Sequence, residues 1–569
     1  MKKSEWNEAL NHIDDDIVAN FVVQKETLQK KKKTRAVWIR ACAIAACISI
    51  VFCSFAVVPM LFDDPNGEPP YNGSDSAMNG GAVTEKSTFV CNCETYTSIV
   101  PIDTLDFEGD SITILHRNTV SAQREWYKNI RDDDLDEVIS MRNEEISEDL
   151  NLYVEYKAIG GADYEDCFNA FNEAIKTDVN NDMHEYDVVA NHAYAGASAE
   201  IRDYLANLAD KEIFPYFELS LPCWNQSIVK NTSINDQLYY LTGDINLSTF
   251  DNAMVIFLNK KMYDEKRTAD DPEDLQDLAL EGYDYTANDG IGAGMAGGFT
   301  YDELYRWSSV FEESNGEDGD FYAISSEYGS IPLDSLPYAW NLDYIEENLD
   351  GTHSYNIVGN SKIEEAVIKA RQLLDGSVAK GVSNENIIAN FASDKSIFAL
   401  HVLYNNEEDC ETLRNMSSEY GLLPMPKYDK NQVYYSTTAY ENYTLMTVID
   451  HSLSSVPTKG KMVSAYLQCS SEESYINVRE YYVENVMKPK KFSDNDTEAF
   501  KKSVQIFNII ANSIELPFVS VYTPQLDNIM QECWREAVIS GITAEDAYQD
   551  NQDIYDAKLA ELDSWLEVS

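Results

Sequence analysis

The sequence predicts an α/β protein of at least two lobes, held outside the cell by one transmembrane helix. Three observations predict it. From about residue 104 onward, short runs of β-branched and aromatic residues alternate with helical stretches, the pattern of a parallel sheet covered on both faces. The chain has 569 residues, too many for one ordinary core. Residues 41–62 carry no charged side chain.

In residues 1–40, Trp6, Leu10, Ile13, Ile17 and Phe21 recur at helical spacing and make one apolar stripe, with Ser4 placed to cap the start. Such a cytoplasmic helix can dock on a partner, lie on the inner leaflet or simply lead into the membrane. Residues 41–62 follow as the transmembrane helix. As a helix they would rise about 33 Å, enough for a hydrocarbon core of about 30 Å. Lys30, Lys31, Lys32, Lys33, Arg35 and Arg40 stand before the run and Asp63 and Asp64 after it, which keeps the N-terminus cytoplasmic and the bulk of the chain extracellular. Ile44-Ala45-Ala46-Cys47 resembles an acylation box, so lipidation of Cys47 is the competing reading. The leading segment is longer than an ordinary signal n-region and the apolar run continues past Cys47, so an uncleaved, single-pass signal-anchor in the cell membrane is the expectation. Residues 63–103 open with a stretch rich in Pro, Gly, Asn and Ser and read as a flexible linker.

Beyond it, Ser111–Leu115, Leu152–Tyr156 and Tyr186–Ala190 read as strands, and 133–150 and Tyr164–Asn180 as helices. Ligands of parallel sheets sit at the carboxyl ends of strands, which marks Asn191–Tyr194 as a site edge. Leu238–Asp244, Ala253–Asn259 and Tyr443–Ile449 are further strand candidates; Ser396–Tyr404 is a buried strand or helix. Phe299–Leu304 opens a helix, 361–375 and 384–391 are helical, and Leu422–Pro426 breaks regular structure. The C-terminal part is mainly helical, with one long acidic helix over 543–567.

Composition narrows function by exclusion. The formal charge is −55; residues 1–40 hold nine Lys/Arg and six Asp/Glu, so 34 Lys/Arg against 92 Asp/Glu lie beyond the apolar run, a charge of −58. Such a surface repels nucleic acid. Ten cysteines at irregular spacing do not make a disulfide scaffold. Gly292-x-Gly294-x-x-Gly297 has dinucleotide-fingerprint spacing, but it follows an acidic loop-like stretch rather than a strand. There is no P-loop, HExxH or GxSxG, and the seven histidines form no pair at zinc-ligand spacing. Asp494-x-Asp496-x-Glu498 and Asp318-Gly319-Asp320 lack a complete calcium loop. No catalytic residue, metal or cofactor is expected, and the chain is read as a non-enzyme. Aromatic residues in loop-like places, Tyr194, Trp224, Tyr338, Trp340, Tyr434, Tyr435, Tyr440 and Tyr443, suit either core packing or recognition of a polar ligand with apolar faces, such as a sugar.

Four stretches carry a resemblance: Tyr186-Asp187-Val188-Val189; Leu221–Ser227 continuing through Gln237–Ile245 to Phe257–Lys261; Gly421–Asp429; and Gln531–Val538 with the closing helix. In order and spacing they resemble the family 1 extracellular solute-binding proteins, the binding components of bacterial ABC importers and relatives of maltose-binding protein. The resemblance implies a two-lobed, periplasmic-binding-protein-like (type 2) fold with a hinge, occupying 104–569. Lobe 1 would take about 104–240 and 420–470, lobe 2 about 250–415, and C-terminal helices 471–569 would pack across both. It implies a cleft lined by Asn191, Tyr194, Asp251, Asn252, Tyr338, Trp340, Tyr404, Tyr440 and Tyr522. It also implies a small-molecule ligand, an oligosaccharide first, and ABC permease subunits as partners. Two features depart from the family: the retained membrane helix and extra acidic loops near 265–300 and 312–320. The first keeps a second function open, a solute-sensing receptor that signals through residues 1–40. A third, an enzyme acting on a polysaccharide, would need a cleft carboxylate on which turnover depends.

Overall fold

A computed structural model describes residues 98–126, 134–160, 164–196, 201–234, 237–283, 297–314, 322–327, 331–348, 352–374, 383–440, 442–487, 497–516 and 524–567. The expected cytoplasmic segment, the apolar run 41–62, most of the linker and Tyr522 lie outside these residues. Among the described residues no helix is long and apolar enough to cross a membrane.

Eight strands build two four-stranded sheets: β1 (Ser111–Arg117), β2 (Tyr153–Ile159), β3 (Val188–His192), β4 (Met254–Asn259), β5 (Tyr322–Ser325), β6 (Ser396–Val402), β7 (Tyr420–Leu423) and β8 (Thr444–Val448). The first sheet has the order β8-β3-β1-β2 and the second β7-β4-β6-β5. In the first, β1 pairs in parallel with β2 and with β3, while β8 runs antiparallel on the outer side of β3, Thr444 opposite His192 and Val448 opposite Val188. In the second, β4 is antiparallel to both β6 and β7, and β6 is parallel to β5.

The principal helices are α1 (Asp134–Asp149), α2 (Tyr164–Asn180), α3 (Ala193–Gly196), α4 (Ser248–Asp251), α5 (Tyr301–Ser314), α6 (Ile331–Ala339), α7 (Ser361–Leu374), α8 (Lys459–Glu473), α9 (Arg479–Met487), α10 (Glu498–Asn512), α11 (Pro524–Ser540), α12 (Ala544–Asp550) and α13 (Gln552–Glu567). Their sequences explain how they dock. In α2, Cys167, Phe171 and Ile175 are spaced by four and fully buried. In α7 the buried face is Ile363, Ala366, Val367, Ala370, Leu373 and Leu374. β3 and β4 are buried along their whole length, as expected of strands covered on both faces.

Three stretches meet between the sheets and are hydrogen-bonded together: the crossing through α4 into β4, the crossing from Ser436 to Tyr440, and, third, residues 513–516, which follow α10 on the second sheet. Met254 N–H donates to Thr438 O (2.9 Å) and Tyr440 N–H to Asn252 O (2.8 Å), so the first two crossings run antiparallel. The third joins them in parallel through Thr437 N–H to Ser513 O (3.0 Å) and Glu515 N–H to Thr437 O (2.7 Å). These backbone bonds join the two sheets at a narrow waist, the place where two-lobed folds hinge.

Several expectations need correction. Tyr420–Leu423 pairs with β4, so this stretch belongs with the second sheet, not with lobe 1; the return to the first sheet comes only after Ser436. The strand runs up to Leu423 and stops where Pro424 removes the next donor. Leu238–Asp244 is not a continuous strand. It touches the first sheet through one bridge, Leu241 to Met446, and bends at Gly243, where any Cβ would stand 2.3 Å from the Cys223 carbonyl. The closing acidic helix is two helices, because Asn551 ends α12 before α13 begins. Gly297, last of the fingerprint-like glycines, holds φ +82° with its α-carbon against the Tyr435 ring, a packing role. Cys167, Cys223, Cys410, Cys469 and Cys533 are all buried free thiols.

Candidate functional site

A cavity lies between the two sheets beside the crossings, lined by Tyr194, Met254, Asp334, Ser335, Tyr338, Thr438, Ala439, Tyr440, Tyr443 and Gln531. Each wall has a simple structural origin. Tyr194 stands on α3, the turn that follows the carboxyl end of β3; its N–H meets His192 Nδ1 at 3.2 Å and its ring meets the His192 ring edge-on. Asp334, Ser335 and Tyr338 share one face of α6 at spacings of one and three residues. Thr438, Ala439 and Tyr440 belong to the second crossing, and Met254 to the first. Gln531 comes from α11, which Arg535 ties to α6: its guanidinium takes both Asp334 oxygens, Nε to Oδ1 at 2.7 Å. These hydrogen bonds, together with the carboxylate charge, hold Arg535 more firmly protonated than usual.

The cavity therefore offers four phenol rings, one carboxylate, one side-chain amide and two hydroxyls, carried by α3, α6, α11 and the second crossing with its continuation into β8. Its free space is about 20 Å³, room for a water or so. Small-molecule sites run to about 300–1,000 Å³. Entry of any solute therefore requires the lobes to part at the waist.

Of the nine residues expected at the cleft, the structure brings Tyr194, Tyr338 and Tyr440 together on this cavity. Asp251, Asn252 and Tyr404 serve the hinge. Asp251 accepts a hydrogen bond from Tyr482 Oη (2.7 Å) and, through its backbone oxygen, one from Tyr404 N–H (3.0 Å). Asn252 uses its amide on Ser248 O (2.8 Å). Asn191 lies inside the first sheet, its Oδ1 accepting from His192 N–H (2.7 Å) and its Nδ2 buried without a hydrogen bond. Trp340 is a correction: it is fully buried, edge-on to Tyr301, Tyr428 and Trp534, and so packs the second lobe rather than facing the cleft. The helix that presents Tyr338 explains why. Two residues along a helix turn the side chain to the opposite face.

Sequence reasoning missed the polar frame behind the first wall. Glu125 is completely buried and accepts from Ser248 N–H (3.0 Å), Ser248 Oγ (2.6 Å) and Thr444 Oγ1 (3.0 Å). Arg117 reaches the same Thr444 hydroxyl (3.2 Å) and the Asn442 carbonyl (2.7 Å). Burial pushes the Glu125 carboxyl up, while the Ser248 and Thr444 hydrogen bonds and the Arg117 charge pull it back. This network fastens the end of β1 and the start of β8 to the first crossing. Glu125 is one of 98 acidic residues in the sequence, and no local pattern singles it out.

No protein-family model and no curated protein matches the sequence. Solved structures do match in fold. The sugar-binding protein MalE of the phytopathogen Xanthomonas citri aligns with 81% of this chain and 100% of its own, at 12% identity and a TM-score of 0.52. The cyclic alpha-maltosyl-1,6-maltose binding protein of Arthrobacter globiformis aligns with 79% of this chain and 98% of its own, at 12% identity and a TM-score of 0.49. The maltose-bound T. maritima MalE3 aligns with 80% and 100%, at 16% identity and a TM-score of 0.44. At such identities the likeness is one of fold, and it rests on the first of these. The fold is thus the two-lobed type of that sugar-binding protein.

Proposed function

We propose that this chain is an extracellular solute-binding protein that captures a small polar solute, an oligosaccharide first, for an ABC importer. The observation that carries the proposal is the hinge-side cavity, where Tyr194, Tyr338, Tyr440 and Tyr443 surround a site also reached by Asp334, Ser335 and Gln531. Sugar rings have apolar C–H faces that stack on aromatic rings and hydroxyl edges that seek carboxylates and amides. A cavity with both kinds of group, on walls that move relative to each other, is suited to enclosing such a ligand. The likeness in fold to a sugar-binding protein supports the same reading.

The mechanism is differential binding to an open and a closed form. The lobes part at the waist, the solute enters against the tyrosines, and closure brings α6 and α3 onto opposite sides of it. The ligand shifts the equilibrium only by its preference for the closed form. Residues 41–62 would hold the binding unit at the cell membrane, with residues 1–40 inside and permease subunits as partners.

A thermal-shift panel of mono- and oligosaccharides, peptides and amino acids on the purified full-length chain tests this. A ligand present at a hundredfold excess over Kd adds about 2.7 kcal/mol to the folded state, a clear rise in Tm. A rise with at least one oligosaccharide is expected. No rise with any sugar, or a rise with peptides alone, would overturn the carbohydrate reading.

A further inference from the structure

Far from the cleft, at the opposite ends of β3 and β8, three metal-ligating side chains converge. Asp182 and His184 lie in the connection from α2 to β3, and His451 follows β8. The antiparallel pairing of Val188 with Val448 brings these two connections side by side. The ligand atoms of the three residues all lie within 4.8 Å of one another. Asp182 Oδ1 stands 3.4 Å from His184 Nε2 and 3.2 Å from His451 Nε2. We propose that Asp182, His184 and His451 form a binding site for a divalent transition metal of the zinc class.

The distances fit that chemistry. With metal–ligand bonds of about 2.0–2.1 Å, the edges of a coordination tetrahedron are about 3.3–3.4 Å. His451 Nε2 is buried and makes no hydrogen bond. Two neutral imidazoles and one carboxylate select zinc and its neighbours in the transition series over calcium or magnesium, which prefer oxygen ligands. Three protein ligands leave a fourth position for water. The exposure of Asp182, whose side chain is 82% accessible, gives the ion a way in.

The backbone supports the arrangement. Asp182 has φ +56° and His184 φ +53°, a left-handed conformation at two non-glycine residues of one tight connection. Asp178 caps this turn by accepting the Glu185 N–H (2.7 Å). The two imidazoles stack face to face, ring centroids 4.0 Å apart and planes 7° from parallel. Parallel rings cannot both aim a lone pair at one ion, so coordination requires one ring to tilt out of the stack. His184 Nδ1 is buried without a hydrogen bond, so it lacks the outer partner that strengthens high-affinity sites. A bound ion would staple the α2–β3 connection to the end of β8, about a strand's length, some 15 Å, from the cleft.

The test is titration of the metal-free full-length chain with Zn²⁺ against a chromogenic chelator, and with Co²⁺ by visible absorption. One Zn²⁺ per chain is expected at this site, with Co²⁺ giving the d–d bands of a tetrahedral nitrogen–oxygen set and no thiolate charge-transfer band. Asp182→Asn keeps the side-chain volume and suits a left-handed residue, so it should fold normally; it should weaken Zn²⁺ binding at least tenfold, as should His451→Ala. Saccharide binding, if present, should be unchanged in Asp182→Asn. The proposal is overturned if wild type takes up no Zn²⁺, if Asp182→Asn binds it as wild type does, or if the Co²⁺ spectrum shows cysteine ligation.

Discussion

Two arginine–aspartate pairs flank the waist of the molecule, and they differ in their access to water. On the first-lobe side, Arg479 of α9 grips Asp244 with both Nε and Nη2, the latter at 2.8 Å, and the two side chains are 6% and 4% exposed. On the second-lobe side, Arg535 of α11 grips Asp334 in the same two-pronged way, but its own side chain is 33% exposed and Asp334 lines the cavity. The first pair is part of a frame. Arg479 also reaches Asn512 (3.2 Å) at the end of α10, so the pair ties the entry to the first crossing to the stretch 513–516. The second pair holds a wall of the cavity proposed to take the ligand. The same chemistry thus stands in a closed frame on one side and at the wall of the cavity on the other.

The largest effect should come from breaking the buried pair. Asp244→Ala leaves Arg479 charged and enclosed, a loss of about 3–5 kcal/mol. Urea unfolding followed by tryptophan fluorescence would show it, and a loss under 1 kcal/mol would mean that the frame tolerates an unpaired arginine.

Acid should attack the same side next. His116, fully buried at the end of β1, has its pKa pushed down by burial to about 4 from its ordinary 6.5. The folded form keeps the ring neutral, so between pH 6.5 and about 4 the unfolded chain binds the extra proton. Its contribution is complete above pH 6.5 and is lost as pH falls through that window, about 3 kcal/mol in all. Stability measured against pH in wild type and His116→Gln should diverge in slope there; parallel curves would remove His116 from the account.

Cleft residues should move affinity instead of stability. Tyr338→Ala should weaken binding of the captured sugar about tenfold, or about 1.4 kcal/mol, with Tm nearly unchanged. Calorimetry decides it; an unchanged Kd would take α6 out of the ligand wall. Smallest in stability is the second pair. Asp334→Ala frees a partly exposed arginine that water can solvate, so it should cost about 1 kcal/mol or less. If it costs as much as Asp244→Ala, the contrast between the two pairs is wrong.

The elements were largely legible in the sequence because periodicity is local. Tyr164–Asn180 is the helix that its spacing predicts, and β1, β2, β3, β4 and β8 begin within two residues of their predicted starts. Leu238–Asp244 was not legible: it has strand composition, but Gly243 turns it under the Cys223 carbonyl, a contact only the fold reveals. Tyr194, Tyr338 and Tyr440 belong both to the aromatic residues in loop-like places and to the cleft that the resemblance implies, and the cavity gathers them. Trp340 attracted the same notice, yet the helix turns it inward onto Trp534.

What the sequence determined by itself was what short-range physics can carry: α/β alternation, a strongly acidic and folded main region, and an uncharged run near the N-terminus. The tertiary structure decided which residues meet. His184 and His451 are 267 positions apart, Asp244 and Arg479 235, and Glu125 and Thr444 319. No window of sequence spans such separations. Each meeting is set by the order of strands in a sheet and by where the chain crosses the waist. Those are choices of the whole core, made where long-range burial outweighs any local preference.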